Sequence, residues 1–595
     1  MKLVRKTATV AVLLSSLCLS SGRLFAAEKA VLQARATATQ PVSFDIFLPL
    51  QHRDQLESLL ADLHDSRSAN YQHWLTPDQF EARFGVSDTQ VNAIVSELAT
   101  QHLAATRTST RHLVVTGAAA DVEHAFNTIL KNGTFANGAK TVVATQPITP
   151  PGSVTQAGAV VAGLSGMVRM RKHSHKAAQP NNRYSAEGGY FFDDLKQAYS
   201  YPSYQALNGK GVTIGILMSG AYNPPDMAAY FGHEKLAVPN FTQVNIDGGS
   251  PFDPDNSDET HLDMQQSGGM APNAHIILYN LPDLTDSSIM DGLDKILKAN
   301  KADVVSMSFG GSELFYTAAY NDGTDFTDLL QEEDDLFAQG NAQGITFVAS
   351  SGDAGALDGF PAACFNGGPN CGAAQASVDF PASSPHVTGV GGTNLVTTYT
   401  GSVTNLNSAY IRESAYADPL SADIFYGTSA TGMVWGSGGG NSILFKKPLF
   451  QALTDTGNTR YRTVPDVALH MGGCPGDATC GPDDSFDWTA IGGEYVGLIG
   501  TSASAPDFAG LAALTVQRYG TRLGNLDYYL YTLALAQDFL GPTVFRTGIP
   551  GNNGLYTSGN KDYNRVLGLG TVEGRNFLLA PLIPVAGVPQ TPSNP

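Results

Sequence analysis

Basic side chains are scarce in this 595-residue sequence, which has 35 Lys and Arg residues against 54 Asp and Glu residues. The formal net charge of −19 argues against a nucleic acid partner, because a phosphate backbone attracts positive surfaces. Charged residues of both signs make up only 15% of the chain. This composition suits a protein that works in acid, since its carboxylates are neutralised before positive self-repulsion becomes large.

Long apolar runs are also scarce, which argues against a membrane span. A transmembrane helix needs about 20 apolar residues. The N-terminal stretch "MKLVRKTATVAVLLSSLCLSSGRLFAAEKA" has a shorter uninterrupted run. Its basic start, apolar centre and small residues near Ala26 and Ala27 predict a secretory signal peptide over residues 1–27. We therefore expect a secreted or periplasmic protein with no membrane partner.

Cysteine is rare, with five residues in the chain. Cys18 belongs to the signal peptide, and the other four form two close pairs, Cys364 with Cys371 and Cys474 with Cys480. In an exported chain this even number predicts two small disulfide loops. The alternative is a four-cysteine zinc site, but neither pair has the two-residue spacing usual for zinc.

The length exceeds what one hydrophobic core supports, so we expect more than one domain. Residues 41–170 alternate strand-like and amphipathic helical runs, which predicts two helices on a small antiparallel sheet. Residues 171–189, "RKHSHKAAQPNNRYSAEGG", predict an exposed linker of the kind that proteases cleave. Over 190–584, continuous apolar runs such as "GVTIGILMSG" predict an α/β domain with a helix-covered parallel sheet. Residues 585–595 form a Pro-rich tail.

A nucleophile is suggested by the segment "GTSASAP" at 500–506. Ser502 lies there in a small-residue turn between the apolar run "YVGLI" and a helix-like stretch, where serine nucleophiles often lie. Ser504, in the same turn, is interpreted as structural. The motif "HGT", which would supply a histidine base in a subtilisin-like enzyme, is absent. The proton of Ser502 therefore needs another acceptor.

Carboxylates are the candidate acceptors. In "DETHLDMQQ", Glu259 and Asp263 are four positions apart, which places both on one face of a helix. Such a pair is common on solvated helices, but this one precedes a Gly-rich loop and a buried strand. Asp353, in "FVASSGDAGA", follows another strand and could donate a hydrogen bond to an oxyanion if it keeps its proton.

The residues alone leave three functions open. A serine peptidase uses Ser502 together with Glu259. A glycoside hydrolase would use Glu259 and a second acid as its carboxylate pair, but it leaves "GTSASAP" unexplained. A binding protein that had lost activity would not need these polar residues at all.

These motifs together resemble the sedolisin family, the serine-carboxyl peptidases that include kumamolisin-like enzymes. Further similarity comes from "VVSMSFGG", "VWGSGGGNS" and "RTVPDVA", and "YQHWLTPDQFEARFG" is similar to the family's activation domain. The resemblance implies a subtilisin-like fold preceded by a small ferredoxin-like inhibitory prodomain. It implies that Ser502 forms the acyl-enzyme, Glu259 is the general base, Asp263 orients it, and protonated Asp353 helps to bind the oxyanion.

The resemblance also implies a substrate cleft and a calcium site. Trp435, Gly436, Ser437 and Gly438 are expected to line the cleft. In the calcium pattern, Thr547 and Asn564 stand where the family has aspartates, so the site looks degenerate, and Asp538 and Asp562 are only weak alternative ligands. We expect a monomer whose partners are peptide substrates and its own propeptide, with no certain cofactor.

Overall fold

The computed structural model describes residues 28–135, 138–177, 189–365, 371–402, 405–415, 417–476, 481 and 483–581. The predicted signal peptide, the tail at 585–595 and Cys480 lie outside these residues. Among the helices that are described, none combines the length and apolarity needed to cross a bilayer.

The N-terminal part of the chain has its own core. A four-stranded antiparallel sheet of order β4-β5-β3-β8 packs with its helices around buried residues that run from Ala36 to Leu164. The predicted small antiparallel sheet with helices is therefore present. The ferredoxin-like form stays a prediction, because a second sheet, β2-β6-β7, is added to this unit. The elements are β1 (Glu28–Lys29), β2 (Val31–Arg35), β3 (Pro41–Phe47), α1 (Arg53–His64), α2 (Pro77–Phe84), α3 (Asp88–Thr100), β4 (Ala104–Arg107), β5 (His112–Ala118), α4 (Ala119–Ala125), β6 (Leu130–Thr134), β7 (Lys140–Ala144), α5 (Gly152–Gln156), β8 (Val160–Ala162), β9 (Met167–Val168), β10 (Arg171–Lys172) and β11 (His175–Lys176).

The second part is built on a ten-stranded sheet, as the continuous apolar runs predict. Its order is β13-β14-β12-β15-β17-β19-β25-β29-β28; neighbours from β13 to β29 are parallel, and β20 pairs with β19. The elements are α6 (Phe192–Ala198), β12 (Thr213–Ser219), α7 (Pro224–His233), β13 (Asn240–Asn245), α8 (Asp258–Met270), β14 (His275–Leu281), α9 (Asp286–Ala299), β15 (Val304–Met307), β16 (Phe309–Ser312), α10 (Thr327–Ala342), β17 (Thr346–Ser350), α11 (Ala362–Phe365), β18 (Asp379–Phe380), β19 (Thr388–Ser402), β20 (Asn405–Ser414), β21 (Asp418–Pro419), β22 (Val434–Trp435), β23 (Gly440–Lys446), β24 (Tyr461–Val464), β25 (Val467–His470), β26 (Asp487–Ile491), β27 (Glu494–Ile499), α12 (Thr501–Tyr519), α13 (Asp527–Leu540), β28 (Phe545–Arg546), β29 (Thr571–Val572) and α14 (Gly574–Leu579).

The first residues of the predicted linker are bound as strands, and Lys176 alone among residues 171–177 is exposed. β10 pairs antiparallel with β16, and β11 pairs antiparallel with β27, so that 171–177 crosses the second domain as bound strands. His173 and Ser174 between them are buried. The prediction of an open segment is therefore wrong for this stretch, because its amide groups find partners on the edges of two strands. Residues 178–188 lie outside the described residues.

One predicted disulfide is confirmed. Cys364 and Cys371 are bonded at an S–S distance of 2.02 Å. Cys474 also takes part in a disulfide, but its predicted partner Cys480 is not described, so that pairing stays a prediction.

Charged side chains join the two parts of the chain. α1 packs along α10, and Arg53 on α1 pairs with two adjacent aspartates of α10. Arg111, which is buried, pairs with Glu332. The contributing pairs are Arg53 with Asp334, Arg53 with Asp335, and Arg111 with Glu332. The basic partners belong to the first part and the acidic partners to the second, so the contact is complementary in charge.

His112 lies at the centre of this interface. Its Nε2 is 3.1 Å from Asp45 Oδ1 and 3.2 Å from Asp291 Oδ1, and its Nδ1 is 3.5 Å from Asp294 Oδ2. Burial lowers the pKa of His112, but the hydrogen bonds to Asp294 and Asp45 and the charge of Asp291 outweigh it and raise the pKa to about 10. Asp45, His112 and Asp291 are also the one cluster of metal-type ligands among the described residues. Because the imidazole of His112 carries a positive charge, the cluster is explained as a group of ion pairs rather than as a metal site.

The C-terminal loop, where the family pattern places calcium, is closed by amide groups. The side-chain oxygen of Asn564 accepts the N–H groups of Val566 at 3.1 Å and Leu567 at 2.9 Å. Asn553 Nδ2 donates to the carbonyl of Arg565 at 2.9 Å. Asp562, one weak candidate ligand, is exposed. Hydrogen bonds therefore hold the turn that a divalent ion would otherwise organise.

The charges around His112 predict a pH-dependent contact between the two parts. Because its pKa is raised to about 10, the imidazolium stabilises the precursor fully below the ordinary histidine pKa of about 6.5, and this contribution is lost as the pH rises through the folded value. In the Ser502→Ala precursor, His112→Gln should lower the calorimetric melting temperature more at about pH 6 than at about pH 10.5. His124→Gln, at an exposed position of the same prodomain, is the control. Equal penalties at both pH values would contradict the ion-pair role.

The C-terminal loop predicts indifference to calcium. With Thr547 and Asn564 in place of carboxylates, the charge attraction for a divalent ion is missing, so calcium adds no stabilisation by linkage. The melting temperature of the protein should barely change between excess chelator and millimolar calcium. A rise of many degrees would show that other ligands, such as Asp562, bind the ion.

Candidate active site

Ser502 lies in the first turn of α12, directly after β27. Gly500 links the two elements with a φ of 138°, and the helix starts at Thr501. The residue is fully buried, and Ser502 Oγ donates to the carbonyl of Ser308 at 3.3 Å. Pro506 lacks the N–H that would bond to the Ser502 carbonyl within the helix, and Ser308 Oγ lies 3.5 Å from that carbonyl instead. The strand, glycine and helix start hold the hydroxyl in one place.

Glu259 and Asp263 lie on α8, as their spacing predicts. Every residue of this helix is buried, so it is not the solvated helix on which an acid pair is usually found. α8 packs directly on α12, and the approach is so close that a Cβ on Gly510 would lie 2.3 Å from Met270 Cβ. Glycine at this position lets the two helices, and hence the carboxylates and the serine, come together.

Ser308 couples the carboxylates to the serine. It follows β15 directly, and its hydroxyl donates to Asp263 Oδ1 at 2.5 Å. Its carbonyl accepts from Ser502 Oγ, as described above. Sequence reasoning did not single out this residue, although it stands in the quoted segment "VVSMSFGG". A polar residue immediately after a buried parallel strand was the signal that could have found it.

Burial governs the proton affinity of the acid pair. It raises the pKa of Glu259 to about 8, against the opposing effects of Ser174, Lys172 and Ser502, which lie close to the carboxylate. Burial and the charge of Glu259 raise the pKa of Asp263 well above its usual range. Two adjacent buried carboxylates cannot both be charged at neutral pH, so the pair holds at least one proton and can exchange it.

Asp353 lies in the loop after β17 and faces the start of α12. Its Oδ1 accepts from Thr501 N at 2.8 Å and Thr501 Oγ1 at 2.9 Å. Its Oδ2 has no hydrogen-bond partner within the described part of the chain and lies 2.7 Å from the place of a Cβ on Gly500. Burial raises the pKa of Asp353 well above its usual range despite the bonds from Thr501. The free oxygen can therefore carry a proton and donate it in a hydrogen bond.

The segment Trp435–Gly438 supports the loop of Asp353. Gly436 N donates to the carbonyl of Asp353 at 2.8 Å, and Gly438 N donates to that of Gly352 at 2.7 Å. The buried Trp435 ring meets His175 edge to face at 5.3 Å. Ser437 Oγ turns away and donates to the carbonyl of Val566 at 2.9 Å. Substrate binding by this segment stays a prediction, which the contact of Trp435 with His175 supports.

The structure thus brings Ser502, Glu259, Asp263 and Asp353 to one place, where no described histidine hydrogen-bonds Ser502 Oγ. Ser504 is separate: its hydroxyl donates to the carbonyl of His470 at 2.7 Å, which is a structural bond. The side chain of Asp538 is not described, and Asp562 lies on the exposed C-terminal loop.

Comparison with protein families and known proteins matches both parts of the chain. Residues 28–166 match the pro-kumamolisin activation domain, and residues 209–533 match the subtilase family. The chain is 29% identical over 443 residues to kumamolisin from Bacillus sp. (strain MN-32), which covers 71% of this chain and 69% of that protein. It is 28% identical over 534 residues to sedolisin from Pseudomonas sp. (strain 101), covering 87% and 82%.

The solved structure of Pseudomonas sedolisin, a serine-carboxyl proteinase complexed with pseudo-iodotyrostatin, superimposes with a TM-score of 0.52 at 25% identity. It covers 66% of this chain and 97% of the sedolisin chain. The α/β fold predicted from the sequence is therefore the subtilisin-like one. The chain belongs to the subtilase family and, with its pro-kumamolisin activation domain and its sedolisin-type relatives, is a serine-carboxyl peptidase.

Proposed function

We propose that this protein is an acid-active endopeptidase, exported as a zymogen that processes itself, with Glu259 as the general base for Ser502. The observation that carries the proposal is that the buried Ser502 lies close enough to Glu259 to lower the pKa of that carboxyl, while no described histidine hydrogen-bonds its hydroxyl. A histidine base is protonated in acid, whereas a solvated glutamate, with an ordinary pKa of about 4.3, keeps part of its charge there and still accepts a proton.

In the proposed reaction Glu259 takes the proton of Ser502 as its oxygen attacks the peptide carbonyl. Asp263 shares the charge of Glu259 and is held by the hydroxyl of Ser308. The protonated Asp353 donates to the oxygen that becomes negative, beside the backbone N–H groups at the start of α12. Burial raises the pKa of Asp353 in the direction that a protonated donor needs. Burial also raises the pKa of Glu259, so the proposed base needs water to reach its carboxylate once residues 171–177 leave, which lowers that pKa again.

Export is proposed from the N-terminal 27 residues, whose pattern is typical of a secretory signal. Zymogen control is proposed from the prodomain and from residues 171–177, which cover the serine in this state of the chain. The glycoside hydrolase hypothesis gives Ser502 and Asp353 no role. The described site offers no observation in its favour.

The first prediction concerns the nucleophile. Ser502→Ala should abolish casein hydrolysis at about pH 4 and leave a soluble, uncut precursor, because the variant lacks the hydroxyl that attacks the peptide carbonyl. Ser504→Ala is the matched control from the same turn; it should keep activity and lose about 1 kcal/mol of stability with its hydrogen bond to His470. Turnover by the Ser502→Ala protein would remove Ser502 from the mechanism.

The second prediction concerns the pH profile. If Asp353 acts as a protonated donor, activity falls as the pH rises through the pKa that Asp353 has once residues 171–177 have left the site. Asp353→Asn keeps a donor that does not titrate, so the alkaline limb of kcat/KM should move to higher pH, whereas Asp353→Ala should lower kcat by about 10²–10³ on the acid side of that limb. The limbs are measured with a soluble peptide. An unchanged alkaline limb in Asp353→Asn would show that another group sets it.

A further inference from the structure

The chain presents its own residues 171–177 to the site in the manner of a substrate. Arg171 and Lys172 pair antiparallel with Gly310 and Phe309 of β16. His175 and Lys176 then pair antiparallel with Ile499 and Leu498 of β27. The pairing changes from one strand to the other across the His173–Ser174 peptide. The His173–Ser174 peptide is therefore the bond at which the segment passes from β16 to β27.

That bond lies at Ser502. The carbonyl of Ser308 accepts both Ser502 Oγ at 3.3 Å and His173 N at 3.1 Å, so the nucleophile and His173 share one acceptor. The carbonyl oxygen of His173 lies 1.9 Å from the place of a Cβ on Gly500, on the side where Asp353 Oδ2 lies 2.7 Å from the same point. A side chain at position 500 would therefore displace the carbonyl.

The other side of the bond faces the base. Ser174 is buried, and its hydroxyl lies near the carboxylate of Glu259. The His173 carbonyl thus has the candidate oxyanion donor beside it, and the Ser174 nitrogen belongs to the residue beside the candidate base. No other peptide bond of 171–177 stands between these two groups.

We propose that self-processing cuts the His173–Ser174 bond, and that the same subsites make the mature enzyme prefer peptides with arginine third from the cut and histidine immediately before it. This proposal rests on the peptidase mechanism proposed above. Ser502 Oγ bonds to the His173 carbonyl carbon as its proton passes to Glu259. The C–N bond then breaks, and Glu259 returns the proton to the Ser174 nitrogen. Water hydrolyses the ester, giving a carboxyl terminus at His173 and restoring the hydroxyl of Ser502.

The side chain of Arg171 binds in a subsite formed by acidic and aromatic residues. Arg171 Nη2 lies 2.5 Å from Asp358 Oδ1, and its guanidinium lies 4.5 Å from the ring centre of Tyr426 and 5.1 Å from that of Phe425. Tyr426 holds Asp358 in turn, with its hydroxyl donating to Oδ2 at 2.6 Å. A planar cation that pairs with a carboxylate and stacks on rings fits this subsite better than a lysine does.

The side chain of His173 binds in a second subsite, which is fully buried. His173 Nδ1 lies 2.7 Å from Ser350 Oγ, and Nε2 lies 3.1 Å from Asp379 Oδ2. Burial lowers the pKa of His173 to about 3 and raises that of Asp379, so both groups favour their uncharged forms. Both ring nitrogens have a polar neighbour, which an apolar side chain at this position would leave unpaired.

The cut is located by following the wild-type precursor at about pH 4 and reading the released prodomain by tandem mass spectrometry. The expected prodomain ends at His173 and the first mature chain begins at Ser174, at the earliest time points before any trimming. A different first cut, with casein hydrolysis intact, would overturn this inference and leave the proposed function standing. Processing by the Ser502→Ala precursor would instead contradict the proposed function.

The subsites are tested with the peptide "MRKHSHKA", residues 170–177, and two variants. The Arg171→Gln peptide should lose about 10- to 100-fold in kcat/KM, because it leaves Asp358 unpaired. The Lys176→Gln peptide is the control, since Lys176 and its partner Asp255 are both exposed, and it should stay within about two-fold.

A double-mutant cycle tests whether Asp358 itself recognises the arginine of the peptide. In the Asp358→Asn enzyme the preference for the arginine peptide over the glutamine peptide should shrink to about two-fold. If that variant does not fold, the wild-type enzyme with the two peptides still decides the matter. Equal cleavage of both peptides by the wild type would overturn the assignment of the subsite.

Discussion

The whole site depends on the burial of two carboxyls side by side. Glu259 and Asp263 lie on a helix with no exposed face, against the helix that begins beside Ser502. Water cannot solvate their charges there, so burial raises the pKa of both carboxyls and the pair keeps protons that it can exchange with its neighbours. Gly510, which lets the helices touch, and Ser308, which binds Asp263, both serve this arrangement.

Several of the few basic residues form ion pairs between the two parts of the folded chain. Arg53, Arg111 and His112 of the prodomain and Arg171 of the linker meet carboxylates of the peptidase domain at buried or half-buried contacts. The first three hold the prodomain on the domain, and the last fixes the linker in the cleft. Complementary charge therefore holds both the prodomain and the first residues of the linker on the peptidase domain.

Much of the fold, and the meeting of Ser502, Glu259, Asp263 and Asp353 at one place, could be predicted because they depend on local pattern; the roles of the four residues stay predictions. Apolar runs that never alternate fit only a covered parallel sheet, and the four-residue spacing of Glu259 and Asp263 fits only one helix face. Ser308 was missed although its place directly after a buried strand marks it in the sequence. Asp358 could not be predicted in this way, because its role comes from loops that meet only in the folded chain. The linker was misjudged for the same reason: polar, aperiodic residues look exposed until the strand edges that bind them are known.

The direct test of this account is the acylation rate of Ser502 in a single turnover with an activated ester of a histidine-ending peptide. Glu259→Gln should lower the acylation rate by about 10²–10⁴ at acid pH while the peptide binds with unchanged Kd, since the amide has the same shape and cannot take the proton. An acylation rate equal to that of the wild type would show that Glu259 is not the base and that the central claim is wrong.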